Sequence, residues 1–219
     1  MTMNVTNEIL KELKDLYKLI SREINERLTE FREAGANADS NKVFEELSFC
    51  ILSSGVGPRM AQKSIEAMGN SLHTAGLDEL TEILTDIHKY PDKAGYIVTT
   101  REYISTEFNY DLYGRLAAIS DRLERRDFIS DNKSIRGIGM VQASHFLRNI
   151  GFSGYAILDR NIISSLFEFG VLGDSKPAST KKKYLEKENL MIDFSDKLSI
   201  SIDELDLLLW YRKNGKIPR

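Results

Sequence analysis

The fold of this chain is decided by residues 133–147, which read KSIRGIGMVQASHFL. Gly137 and Gly139 lie between two segments with helical spacing, which predicts a helix, a tight hairpin and a second helix. The first backbone N–H groups of the second helix have no intrahelical partner, and they lie at the positive end of the helix dipole. Such a hairpin can bind a phosphate without a basic side chain. On its own, however, a Gly-x-Gly turn is more often a plain connection between helices.

A carboxylate follows shortly after this hairpin. Residues 156–160 read AILDR and place Asp159 directly before another segment with helical periodicity. An Asp in this position is a favoured N-cap that contributes about 1 kcal/mol, so capping alone would explain it. A capped carboxylate is also fixed in direction, as catalysis requires, and it can stabilise a cation that develops beside it. The two roles of Asp159 are compatible.

The remaining pattern is helical throughout and predicts an all-α fold of about ten helices, with no period-two run bounded by turns. We expect one long helix over residues 6–33 that ends at Gly35, helices over 112–125 and 127–134, and a helical piece that begins at Lys176. The last helix has a Ser-x-x-Glu capping box at its start and a glycine at its end, formed by Ser201, Glu204 and Gly215.

Composition bounds the class of protein. The chain has 219 residues, of which 42% are hydrophobic and 29% charged, as in a soluble globular protein. The start of the chain lacks the pattern of a signal peptide, and the single Cys50 predicts a buried thiol in a reducing cytoplasm. The net charge of −3 argues mildly against nucleic-acid binding, although Lys133, Arg136, Arg148 and the lysines at 181–183 provide local positive charge. We expect an intracellular, cytoplasmic protein without a cofactor.

Two apolar residues lie on polar helix faces. In the helix after the hairpin, Val141 falls opposite the apolar face, beside Ser144, His145 and Arg148. Trp210 falls beside acidic residues in the last helix. Either residue can pack under a neighbouring element, or it can line a cleft, where a Trp could stack on a base.

Residues 137–160 resemble the helix-hairpin-helix DNA glycosylases, and specifically the archaeal-type 8-oxoguanine DNA glycosylase/AP lyase family. Weaker similarity runs through residues 46–52, ELSFCIL, and the last helix. The resemblance implies two helical lobes with a cleft for double-stranded DNA, in a monomeric enzyme of base-excision repair. Residues 39–150 would form the lobe with the hairpin, whereas 1–38 and 151–219 would form the lobe with Asp159.

The resemblance also implies roles for individual residues. The catalytic carboxylate would be Asp159, and a monovalent ion could lie on hairpin carbonyls near Ile135 and Ile138, with no metal ligand from a side chain. The DNA contacts would be Arg136, Gly137, Ile138, Gly139, Gln142 and Arg148, and the base pocket would contain Trp210, Tyr90, Ser53 and Arg219. The loop at 53–57, SSGVG, departs from the Asn/Gln-bearing loop of the family.

One position departs more sharply, because Val141 stands where the family has its catalytic lysine. That lysine attacks C1′ of the damaged nucleotide and cleaves the strand through a Schiff base. Valine has no nucleophile, so we expect a monofunctional glycosylase that excises 8-oxoguanine or a related oxidised purine while Asp159 activates water. Two alternatives stay open: a damage-binding protein that has lost catalysis, and a bifunctional enzyme that uses another amine, such as Lys133 or the N-terminus.

Overall fold

The structure, a computed structural model, describes residues 5–37 and 39–217. Within these ranges the chain forms twelve helices and no strand, which confirms the all-α fold. Their bounds are α1 (Asn7–Ala36), α2 (Ser40–Ser53), α3 (Pro58–Met68), α4 (Ser71–Thr74), α5 (Leu77–Thr85), α6 (Lys93–Phe108), α7 (Leu112–Ala117), α8 (Arg122–Ser130), α9 (Met140–Asn149), α10 (Arg160–Glu168), α11 (Lys181–Leu198) and α12 (Ile202–Asn214). None of the helices described is long and apolar enough to cross a membrane.

The chain forms two compact units. One unit comprises Gly35–Ile150 and contains α2 to α9, with α2 packed against α3, α6, α7 and α9. The other comprises Met1–Ala34 and Gly151–Arg219 and contains most of α1 together with α10 to α12. In this second unit α12 packs against both α10 and α11. Each unit has a core of fully buried aliphatic and aromatic side chains.

Four predicted helix boundaries were wrong, and local capping explains two of them. The predicted helix over 127–134 is not a separate element, because α8 runs from Arg122 to Ser130 and residues 131–134 are not helical. The predicted helix over 112–125 is two helices, because the Asp121 carboxylate accepts hydrogen bonds from the amides of Leu123 and Glu124 and starts α8 afresh. The predicted helical start at Lys176 is also wrong. Helix α11 begins five residues later, where the Thr180 hydroxyl accepts from an amide of its first turn.

The fourth boundary is Gly35, which does not end α1, since the helix continues to Ala36. A Cβ atom built on Gly35 would overlap the carbonyl oxygen of Ile150. The glycine is therefore needed because another backbone approaches closely. At the last helix the predictions are confirmed: Ser201 and Glu204 form both hydrogen bonds of a capping box.

Candidate functional site

The hairpin lies in the unit Gly35–Ile150 and is anchored by two apolar side chains. Ile135 and Ile138 are buried, whereas Arg136, Gly137 and Gly139 between and beside them are exposed. Buried apolar side chains thus lie on both sides of the exposed positions 136 and 137. This arrangement fixes the hairpin to the core while its polar backbone faces solvent.

Gly137 is required by both conformation and space. Its φ of +78° lies in the left-handed region, and a Cβ atom there would lie 2.6 Å from Tyr96 Cδ2 and 3.3 Å from Ile51 Cγ2. The Arg136 guanidinium lies 5.1 Å from the centroid of the same Tyr96 ring. The backbone of the turn and an exposed cation are therefore held together against α6.

The start of α9 has the features of an anion site. Gly139 occupies the N-cap position and has no side chain that could accept from the first amides of the helix. These amides and the helix dipole favour a negative charge, and the exposed Arg136 adds a full positive charge nearby. The arrangement suits a backbone phosphate of a nucleic acid.

The polar face of α9 is mostly interior, in contrast to a simple helical-wheel interpretation. Ser144 is fully buried, and its hydroxyl accepts a hydrogen bond of 3.3 Å from Arg126 of α8. Arg148 is only 4% exposed, and its Nε and Nη2 atoms donate to Asn149 Oδ1 at 3.2 and 3.1 Å. Asn149 Nδ2 in turn donates to Glu46 Oε1 of α2 at 2.7 Å. This burial disfavours the predicted contact of Arg148 with DNA.

The other residues of this face divide between interior and surface. The half-buried His145 ring packs edge-on against the Phe49 ring. Burial and the nearby charge of Arg148 lower the pKa of His145, so its ring is neutral at pH 7. Val141 and Gln142 are half-buried in the first turn of α9. Apart from His145, the side chains of α9 that retain some exposure therefore lie in its first turn.

The predicted pocket residues Ser53 and Tyr90 lie around one loop. Gly55, in this loop, has a φ of +82°, and a Cβ atom on it would lie 3.4 Å from Tyr90 Cε2, so the ring lies against the loop backbone. The Tyr90 side chain is 37% exposed, which leaves surface for a ligand. The Ser53 hydroxyl donates to the carbonyl of Cys50 at 3.0 Å and thus helps to end α2.

Sequence reasoning missed a buried lysine that holds this loop. Lys93 Nζ donates to the carbonyl oxygens of Ile51, Leu52 and Ser54 at 2.7, 3.3 and 2.6 Å, and it lies 5.8 Å from the centroid of the Tyr90 ring. Burial lowers the pKa of Lys93 to about 8. Its neighbours in the sequence gave no sign of this role, since the carbonyl partners lie about forty residues away.

Asp159 lies in the other unit and caps α10 as predicted. Its Oδ1 atom accepts from the amide of Ile162 at 2.8 Å, and its own amide donates to the carbonyl of Ile157 at 2.8 Å. The side chain is half-buried. The carboxylate is thus held in one direction at the start of a helix, where the helix dipole stabilises its charge.

The remaining predictions concern Trp210, Arg219 and a monovalent ion on the hairpin. Trp210 is half-buried on α12, and the neighbouring Asp203 and Asp206 are buried, so the acidic side of this helix is not a solvated face. Arg219 lies outside the described residues. The described residues contain no group of three His, Cys, Asp or Glu side chains that could hold a metal ion. An ion on the hairpin carbonyls near Ile135 and Ile138 stays a prediction.

Comparisons with known proteins agree along nearly the whole chain. A family model described as 8-oxoguanine DNA glycosylase matches residues 24–200. A relative named 8-oxoguanine DNA glycosylase/AP lyase, from Fusobacterium nucleatum, is 34% identical over 217 residues, which cover 96% of this chain and 98% of the relative. The protein of the same name from Methanocaldococcus jannaschii is 32% identical over 208 residues and covers 94% and 93%.

Solved structures give the same result. The crystal structure of the Methanocaldococcus jannaschii 8-oxoguanine glycosylase/lyase in complex with a 15mer DNA containing 8-oxoguanine matches with a TM-score of 0.86 at 30% identity, covering 97% of this chain and 100% of that chain. The 8-oxoguanine DNA glycosylase of Thermotoga maritima matches with a TM-score of 0.85. Because both sequence and structure match along almost their full length, this chain belongs to the helix-hairpin-helix family of 8-oxoguanine DNA glycosylases.

Proposed function

We propose that this protein is a DNA glycosylase of base-excision repair that excises 8-oxoguanine from double-stranded DNA and leaves the strand intact. The observation that carries the proposal is the Asp159 carboxylate, held at the start of α10 by the amide of Ile162. The names of the relatives support the substrate, since they are called 8-oxoguanine DNA glycosylases/AP lyases.

In the proposed reaction the hairpin binds the DNA backbone. The exposed amides at the start of α9 and the Arg136 guanidinium contact phosphate, and this binding offsets the few kcal/mol needed to turn the damaged nucleotide out of the stack. We propose that the exposed face of Tyr90, beside the loop at Gly55, stacks on the flipped base. Trp210, in the other unit, also retains some exposure.

Asp159 then acts at the sugar. Its carboxylate stabilises the positive charge that develops at C1′ as the bond to the base breaks, and it orients a water molecule. The water oxygen bonds to C1′, and 8-oxoguanine leaves with one water proton on the nitrogen that had held the sugar. The products are the free base and an abasic site. Val141 offers no amine, so no Schiff base forms at this position.

The test is base release from a duplex with a single 8-oxoguanine, compared between wild type and Asp159→Asn. Asparagine caps a helix as well as aspartate does, so the substitution removes the charge and keeps the cap. We expect release by the wild type, a loss of at least about 100-fold in Asp159→Asn, and strand breaks only after alkali. Asp121→Asn, at the N-cap of α8, is the matched control and should retain full activity.

The alternatives give different results in the same experiment. Tight binding of the lesion without any base release would make the protein a damage-binding protein. Release accompanied by a borohydride-trapped adduct in the wild type would show that another amine, such as Lys133, acts as a nucleophile. Either result would refute the proposed monofunctional chemistry.

A further inference from the structure

The segment that leads to Asp159 has no regular secondary structure, and its second half is buried. Residues 152–158 are neither helical nor part of a sheet, and the four side chains of Tyr155–Leu158 are at most 6% exposed. Buried backbone amides cost free energy unless they find hydrogen-bond partners. In this segment, side chains of two helices provide such partners.

Three buried side chains bind alternate amides of the segment. The amide of Gly154 donates to Asp203 Oδ2 at 2.9 Å, and the amide of Ala156 donates to Glu188 Oε1 at 3.1 Å. The amide of Leu158 donates to Tyr184 Oη at 3.3 Å. The spacing of two residues is what an extended chain requires, since every second amide points to the same side.

Tyr184 has a second contact that makes it a two-point anchor. Its hydroxyl donates to the carbonyl of Ala156 at 2.6 Å while it accepts from the amide of Leu158. Tyr184 and Glu188 are four residues apart and therefore lie on one side of α11, and they are 3% and 0% exposed. Glutamate is almost never fully buried unless it is paired, so its presence here indicates a specific task.

We propose that Tyr184, Glu188 and Asp203 form a ladder of side chains that fixes residues 154–158 and so positions Asp159 for catalysis. Tyr184 is the last anchor before Asp159, because it binds the amide of Leu158 directly upstream. Ile162 holds the carboxylate from the downstream side. Tyr184, Glu188 and Asp203 are positioning residues that do not touch the substrate. The proposal rests on the proposed function of Asp159.

The first test removes the hydroxyl of Tyr184. In Tyr184→Phe we expect the single-turnover rate of 8-oxoguanine release to fall by about 10- to 100-fold, since a shift of about 1 Å in a catalytic group can have this effect. The dissociation constant for a duplex with a non-cleavable 8-oxoguanine analogue should stay within about twofold of wild type. A hydroxyl that served folding alone would change thermal stability and leave the rate per folded molecule unchanged.

Tyr17→Phe is the matched control. Tyr17 lies in the same unit, and its hydroxyl donates to Glu204 Oε1 at 2.5 Å rather than to a backbone group of residues 152–158. This variant loses one partly buried hydrogen bond, so its stability should fall, but its rate of base release should equal that of wild type.

A second pair of variants tests the ladder if Tyr184→Phe does not fold. Glu188→Gln keeps an oxygen that can accept from the amide of Ala156, whereas Glu188→Leu has none. We expect the glutamine variant to release base at least tenfold faster than the leucine variant, with equal affinity for the analogue duplex. Equal rates in this pair would overturn the ladder.

The outcomes separate this proposal from the proposed function. If wild type releases base and Asp159→Asn does not, but Tyr184→Phe is as fast as wild type, only the ladder is refuted. The ladder is also refuted if Tyr184→Phe loses rate and analogue affinity in parallel, because that indicates a general loss of fold. If wild type releases no base, the proposed function fails and the ladder fails with it.

Discussion

The substitution Val141→Lys tests whether the first turn of α9 faces the reacting sugar. It places an amine at the second residue of α9, where the side chain is half-buried. The lost burial of valine costs about 1 kcal/mol, which is half of the value for full burial. Repulsion between the lysine charge and the positive end of the helix dipole adds about 0.3 to 1 kcal/mol to this loss of stability. The better helix propensity of lysine offsets part of the loss.

The net loss of about 1 to 1.5 kcal/mol is small compared with the stability of about 5 to 15 kcal/mol of a typical domain. We therefore expect Val141→Lys to fold and to melt a few degrees below wild type. The same helix dipole lowers the pKa of the new amine, because it disfavours the charged form. A larger fraction of the lysine is then neutral and nucleophilic near pH 8.

The assay is incubation with an 8-oxoguanine duplex in the presence of borohydride, followed by separation of protein–DNA adducts. We expect a covalent adduct and strand cleavage without alkali for Val141→Lys, and neither for wild type. Val141→Met, which has no amine, is the matched control. If Val141→Lys binds the duplex and releases base but forms no adduct, the first turn of α9 does not reach C1′, and the role assigned to this position is wrong.

Two further predictions concern the hairpin and the adjacent loop. Gly137→Ala should lower the free energy of unfolding by about 2 to 3 kcal/mol in urea titrations, from the strain of a positive φ and the contact with Tyr96. Gly139→Ala, whose added Cβ has no described atom within 4 Å, should cost less than about 1 kcal/mol, and equal losses would contradict this reasoning. Lys93 has a folded pKa of about 8, below its ordinary 10.5, so between these pH values the unfolded chain binds more protons and stability rises with pH. The stability of wild type relative to Lys93→Met, measured in urea, should therefore increase from pH 8 to pH 10, and a constant difference would contradict the lowered pKa.

Several local signals in the sequence predicted local structure correctly, although the caps at Asp121 and Thr180 were missed. The cap at Asp159 and the capping box of Ser201 and Glu204 depend on residues within one helical turn, and each is confirmed. The turn at Gly137 depends on a conformation that glycine alone adopts readily, and its φ is positive. Where the hydrogen-bond partners of a residue lie within a few positions of it, the sequence contains the information needed to predict the local structure.

The surroundings of polar side chains could not be predicted in this way. Ser144 and Arg148 look like members of a solvated face of α9, but their hydrogen-bond network reaches Arg126 and Glu46, which lie far away in the sequence. The same holds for Asp203, which binds the amide of a residue 49 positions upstream. A helical wheel separates apolar from polar positions, but it cannot distinguish a polar residue in water from one paired in the interior.

The buried hydrogen bonds of Ser144 and Asn149 explain how the residue at position 141 can differ without disturbing the hairpin. The orientation of α9 is held by the bond from Arg126 to Ser144 and by the bond from Asn149 to Glu46, and neither involves Val141. The turn itself is fixed by Gly137 and by the burial of Ile138. A nucleophile at position 141 would therefore contribute to the reaction and little to the support of the helix. Valine at this position leaves these hydrogen bonds and the Asp159 cap in place, as the proposed glycosylase that uses water requires.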